Sequence, residues 1–275
     1  MTKLFLILAA APLAAQTVTS IPPGGSISSL LSAEPQSATV TPADLIFPHY
    51  ALGGGWQTTM VLVNMSSTTI NFNEYFFDTS GAPTPVTFIT IPQGEVITTS
   101  ALMGTLPPNQ SFNFVLSSNS STTTTGTAVL KYDSTNTRLG GFAIFQQSGT
   151  AGTFEALVPL SALTDYKFYM PFDNRSGFVT AMAIANPNST STSVQMTFRL
   201  TTGETITTKT LQLQSGQQTS FALRDFAPAT DGVAGVLYVE GPGPLLSALG
   251  FRFNPLGAFA TIPIMNWSGM FLTAL

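Results

Sequence analysis

Gly53-Gly54-Gly55-Trp56-Gln57-Thr58-Thr59-Met60-Val61-Leu62-Val63-Asn64 and, further along, Ser176-Gly177-Phe178-Val179-Thr180-Ala181-Met182-Ala183-Ile184-Ala185-Asn186 are the two stretches that decide the fold. Each follows an aromatic- or Met-Pro step (Phe47-Pro48, Met170-Pro171) and ends on Asn, with Trp56 matched by Phe178 and Asn64 by Asn186. Working outward, Ala128-Val129-Leu130 matches Gly235-Val236-Leu237, Phe145-Gln146 matches Phe253-Asn254, and Val158-Pro159-Leu160 matches Ile262-Pro263-Ile264. The order is the same in both halves, so the chain carries an internal repeat. The offset falls from 122 (64 to 186) to 107 (129 to 236), which gives the first copy extra residues, expected in the loops around Gly104–Gln110 and Ser117–Thr125.

Inside each copy the apolar period is two. Asn71-Phe72-Asn73-Glu74-Tyr75, Ser111-Phe112-Asn113-Phe114, Ser193-Val194-Gln195-Met196-Thr197-Phe198 and Thr210-Leu211-Gln212-Leu213 all alternate, as half-buried strands do. Turn signals such as Asp78-Thr79-Ser80-Gly81 and Thr202-Gly203-Glu204 separate them. Short antiparallel strands at this spacing, in roughly 100 residues per copy, predict an all-β protein of two tandem immunoglobulin-like β-sandwiches. The expected division is a first sandwich over 44–162 and a second over 163–275.

Ahead of them, residues 1–15 read as a signal peptide, with Lys3, an apolar run from Leu4 to Leu8, and small residues before Gln16. Residues 16–43 are rich in Ser, Thr, Pro and Gly and read as an extended arm or linker. No segment is a continuous apolar run of membrane-spanning length, so no transmembrane segment is expected. The expected location is outside the cytoplasm: extracellular, cell-surface or periplasmic.

The Gly-Gly-Trp-x-Thr pattern ending in Asn64, the run Gly140-Gly141-Phe142-Ala143-Ile144-Phe145, Met170-Pro171-Phe172-Asp173-Asn174 and Gly250-Phe251-Arg252-Phe253-Asn254-Pro255 resemble tandem β-sandwich repeats of uncharacterised exported bacterial proteins. The resemblance covers residues 45 to 265 and implies export and an all-β fold. It brings no activity, cofactor or catalytic residue.

Composition narrows the chemistry. With 9 basic and 13 acidic residues, the 275-residue chain lacks the cationic surface that nucleic-acid binding needs. With no Cys and one His, it has no disulfide, and neither a thiolate nor a multi-histidine zinc site can form. His49 is the only base of its kind, aligns with Phe172 of the second copy, and is expected packed or at a domain rim. There is no Gly-x-Ser-x-Gly elbow. Asp173-Asn174 beside Arg175 is the best local oxygen cluster for a cation, but it also fits turn chemistry. Glu74 and Glu155 are expected as lone charges on solvent faces, Gly53-Gly54-Gly55 as a flexible turn, and Trp56 as a core residue of both copies. Trp267 has no counterpart and, with His49 and Tyr50, is a candidate ligand contact.

These readings predict no enzyme, cofactor or metal. They predict an exported structural or adhesive protein whose partners are other copies of itself or a surface polysaccharide. Two more specific forms are a glycan-binding module and a filament subunit that adds its 16–43 arm to a neighbour's sheet edge.

Overall fold

The computed structural model describes residues 44–133, 135, 137–149, 152–162, 166–243 and 246–266. The expected signal peptide and arm, Trp267 and the centre of the junction between the copies lie outside them. The described chain is almost entirely antiparallel strand, arranged as two β-sandwiches in tandem.

In the first sandwich, sheet I is built from β1 (Leu45–Leu52), β3 (Ile70–Asp78), β6 (Ala101–Leu106), β8 (Thr124–Tyr132) and the short β11 (Ser161–Ala162), in the order β11-β1-β8-β3-β6. Sheet II holds β2 (Trp56–Asn64), β4 (Val86–Ile91), β5 (Val96–Thr99), β7 (Ser111–Leu116), β9 (Leu139–Gly149) and β10 (Gly152–Pro159), in the order β10-β9-β2-β7-β4-β5. Phe72, Phe76, Leu102 and Leu130 of sheet I and Met60, Phe88, Phe114 and Phe145 of sheet II all lie in one buried core.

The second sandwich repeats this plan. Sheet III is β15-β14-β17-β12-β20, from β12 (Lys167–Asp173), β14 (Thr192–Leu200), β15 (Thr205–Leu213), β17 (Ala234–Glu240) and β20 (Met265–Asn266). Sheet IV is β16-β13-β18-β19, from β13 (Val179–Ala185), β16 (Gln218–Ala222), β18 (Ser247–Phe253) and β19 (Phe259–Ile262). A four-residue helix, α1 (Leu223–Phe226), follows β16. In both copies the first two strands lie in opposite sheets, whereas an immunoglobulin sandwich keeps its first two side by side. The sandwich architecture is therefore observed with a different strand order.

Two buried polar devices recur. The hydroxyl of Thr58 donates to Ala51 O and accepts from Ala51 N–H, and Thr180 makes the same pair of bonds with Asp173. Asn64, fully buried, donates to the carbonyls of Thr68, Leu106 and Pro107, while Asn186 donates to those of Thr190, Leu213 and Gln214. Each Asn ties the end of one strand to two turns, and that explains the residue that closes both quoted stretches. Asn64→Ala strands carbonyls away from water, so we expect a loss of about 2–3 kcal/mol in urea unfolding, with the same loss for Asn186→Ala. Equal stability of the variants and the parent would refute this role.

Strand pairing also fixes the repeat in detail. Ile70 pairs with Leu106 and Thr192 with Leu213, so the offset has already dropped to 107 (106 to 213) before β6 ends. The extra residues of the first copy are the β4–β5 hairpin and its flanks, not the loops at 104–110 and 117–125. Gly126, not Ala128, corresponds to Gly235: a Cβ on either would lie within about 2 Å of a neighbouring carbonyl oxygen, of Phe77 and Arg199 respectively. Phe145 pairs with Thr58 as Arg252 pairs with Thr180, so Arg252 rather than Phe253 is its counterpart.

Candidate functional site

Four residues of β1, from Phe47 to Tyr50, stand against three of β8, from Ala128 to Gly126, a bulge at Pro48-His49. Pro48 has no N–H to give to the ladder. The bulge puts Tyr50, not His49, at the place of Phe172, and leaves His49 as the extra residue. Tyr50 is fully buried, with its hydroxyl donating to Phe77 O at 3.1 Å, and burial pushes that phenol far above its ordinary value. His49 is buried in the joint between the copies. Its Nδ1 accepts from the Gln218 side-chain N–H at 3.1 Å, and its ring meets Phe145 and Phe251 edge-on. Burial lowers its pKa to about 4, so it is neutral. Neither residue presents a surface to a ligand.

The joint is aromatic throughout. Trp56 is half-buried and packs against Phe259 of the second sandwich at 5.2 Å, while Phe251 contacts Phe145, Phe253 and Phe259. Leu249, Phe251 and Phe259 thereby belong to the core of the first copy as much as to their own sheet. Trp56 is thus a joint residue, not a shared core residue, and Phe178 at the repeated position lies under the Arg252 guanidinium at 3.6 Å. Backbones also touch: a Cβ on Gly81 would lie 2.6 Å from Gly216 C. Beside that contact is a cavity of about 50 Å³ lined by Phe77, Thr127, Val129, Asn188 and Ser215. Pockets for organic ligands typically hold roughly 300–1,000 Å³, so this space suits a few waters at most.

The oxygen cluster is already used. Asp173 binds Arg175 at 2.9 Å and Arg252 at 3.2 Å, and these hold its carboxyl down to about 2. The Asn174 side-chain oxygen accepts from Thr180 N–H. Among the described residues no group of three His, Asp or Glu could hold a metal ion. Glu155 is exposed and accepts from Gln146, whereas Glu74 corrects the expectation made for it. It shares a strand face with Phe72 and Phe76, is fully buried, and neither carboxylate oxygen has a hydrogen-bond partner. Burial raises its pKa to about 8. The Gly53–Gly55 turn is a fitted one: all three residues have positive φ, and a Cβ on any would lie within 2.6 Å of Thr122, Thr123 or Ser148.

What remains is a surface. On the outer side of sheet II the pairings place Val96, Ile89, Val115, Thr59, Ile144 and Leu157 in one row across all six strands. The next row holds Ile91, Asn113, Val61, Phe142 and Pro159. Val96 is 68% exposed, Leu157 52%, Met65 46%, Ile91 43% and Ile89 36%. These are five of the seven exposed large apolar side chains among the described residues, all on one sheet or its rim. Glu155 is the single charged residue in the six strands. Because β4, β9 and β10 place apolar residues on their outer side as well as their inner one, their sequence signal does not alternate, and this face was not anticipated. Among the described residues no helix is long and apolar enough to cross a membrane.

Fold and surface together define a tandem β-sandwich protein with an apolar sheet face that carries one charged residue, Glu155. Comparison with family models, with curated proteins and with solved structures finds no match for the chain.

Proposed function

We propose that the protein is a non-enzymatic, exported structural or adhesive module that holds a flat apolar sheet face toward a partner. The outer face of sheet II carries this reading. Monomeric soluble proteins rarely leave contiguous apolar patches of several hundred Å² open, and such patches mark interaction sites. The aromatic joint supports it, since a continuous core between the sandwiches resists bending under load. Export follows from the signal-like residues 1–15.

Loaded dilute enough that any self-association is undone, the chain from Gln16 should be retained on phenyl-bearing beads, and Ile89→Lys/Val96→Lys should lose at least tenfold of that retention while keeping the parent's circular dichroism. Equal retention of the two would refute the reading. A second reading, glycan binding, is favoured by Tyr169 and Tyr238, which pair across β12 and β17 with rings 4.8 Å apart on the outer side of sheet III, near Gln195 and Thr208. It requires retention on insoluble polysaccharide that Tyr169→Ala/Tyr238→Ala abolishes.

A further inference from the structure

We infer that the partner of the sheet II face is a second copy of this chain, packed face to face; the inference rests on the adhesive reading of that face. Size is the first argument. Six strands at about 4.8 Å span roughly 24 Å, and three residue rows with their side chains cover roughly 20 Å along the strands. Two such faces would bury about 1,000 Å² in all, the threshold at which a specific interface begins. Geometry is the second argument. Sheets stack at about 10 Å by interdigitating side chains, and the inner side of sheet II already does this with sheet I. The outer side offers bulge-free rows, in unbroken register across all six strands, to another sheet.

Charge and symmetry complete the case. A closed dimer brings a patch against itself, so any single-sign charge on it would repel. Here the row ends in Val96 on one side and Leu157 on the other, with Thr59 near the middle and Glu155 in the row beyond. Either direction of an in-plane twofold axis therefore sets apolar against apolar. With 8% charged residues the chain as a whole adds little repulsion between copies.

Light scattering after size exclusion, over a range of concentrations, reads the outcome on the chain from Gln16. The parent should elute as a dimer, unweakened by added sulfate, as apolar burial requires. Ile89→Lys/Val96→Lys should run as a folded monomer, and so should Leu157→Lys at the other end of the row. Thr205→Lys on sheet III, at an exposed position, should remain dimeric. A parent that is monomeric at every concentration, yet whose retention on phenyl beads is lost in Ile89→Lys/Val96→Lys, overturns self-association and leaves the adhesive reading standing. A dimer that all of these variants leave intact, with bead retention also unchanged, overturns both.

Discussion

Glu74→Met stabilises the folded chain by about 3 kcal/mol near neutral pH and by about 5 kcal/mol above pH 8. In the unfolded chain this carboxyl ionises with its ordinary value of 4.5, whereas in the fold it holds its proton up to about 8. Folding therefore binds a proton throughout that interval. Stability contributed by the neutral acid is intact below pH 4.5 and is lost as pH rises toward 8, after which the loss is complete. The cause is geometric: Glu74 pairs with Leu102 and Leu130 across sheet I, between Phe72 and Phe76 on its own face, with no donor to meet either oxygen. The second copy shows what the site accepts, because Met196 stands at the same place, pairs with Val239 and is fully buried. Urea unfolding between about pH 7.5 and pH 8.5 isolates the effect, since His49 is almost wholly neutral there in both states. The parent should lose stability across that range and Glu74→Met should not. Glu74→Gln should flatten the profile too, with a smaller gain, because its amide stays buried without a partner. A flat parent profile would refute the assignment.

Period two carried the reading of the sandwiches, and it carried more than the polar-out habit allowed. Applied strictly to Asn71-Phe72-Asn73-Glu74-Tyr75, it places Glu74 on the side of Phe72; only the expectation that acids face water sent it outward. His49 was different. A bulge shifts register by one residue, and in strands of period two one residue exchanges the faces, so carrying the match of Pro48 with Pro171 past the bulge misassigns His49 and Tyr50. The β4–β5 hairpin was legible in Val86-Thr87-Phe88-Ile89-Thr90-Ile91 followed by Pro92-Gln93-Gly94-Glu95, but the repeat landmarks lay too far apart to place it. The joint and the sheet II face share one reason for being missed. Leu249, Phe251 and Phe253 alternate with Ala248, Gly250 and Arg252, and Ile144 with Ala143 and Phe145, so no polar side marks which way such strands face.

Phe251→Ala should cost about 3–5 kcal/mol and, more tellingly, turn one unfolding transition into two. The ring lies in contact with His49 and Phe145 of the first sandwich and with Phe253 and Phe259 of its own side, so its loss opens a cavity in the part of the core the two copies share. What then connects the sandwiches, besides the Trp56–Phe259 packing, are bonds such as Thr261 to Leu157 O and Gln218 N–H to Thr79 O, each worth about 1 kcal/mol. In the parent, calorimetry should give a single transition whose van't Hoff and calorimetric enthalpies agree. Acid should act at the same place. His49 takes up a proton at its ordinary value of 6.5 when unfolded but only near 4 in the joint, so the unfolded chain binds more protons as pH falls between these values. The joint thus loses about 3 kcal/mol on acidification to pH 4 and nothing further below it. Phe251→Ala opens the His49 ring to water, restores its ordinary proton affinity and removes that acid dependence, so the variant's two transitions should shift less between pH 7 and pH 4 than the parent's one. A single transition that persists in Phe251→Ala would mean the copies are coupled by something other than this aromatic cluster.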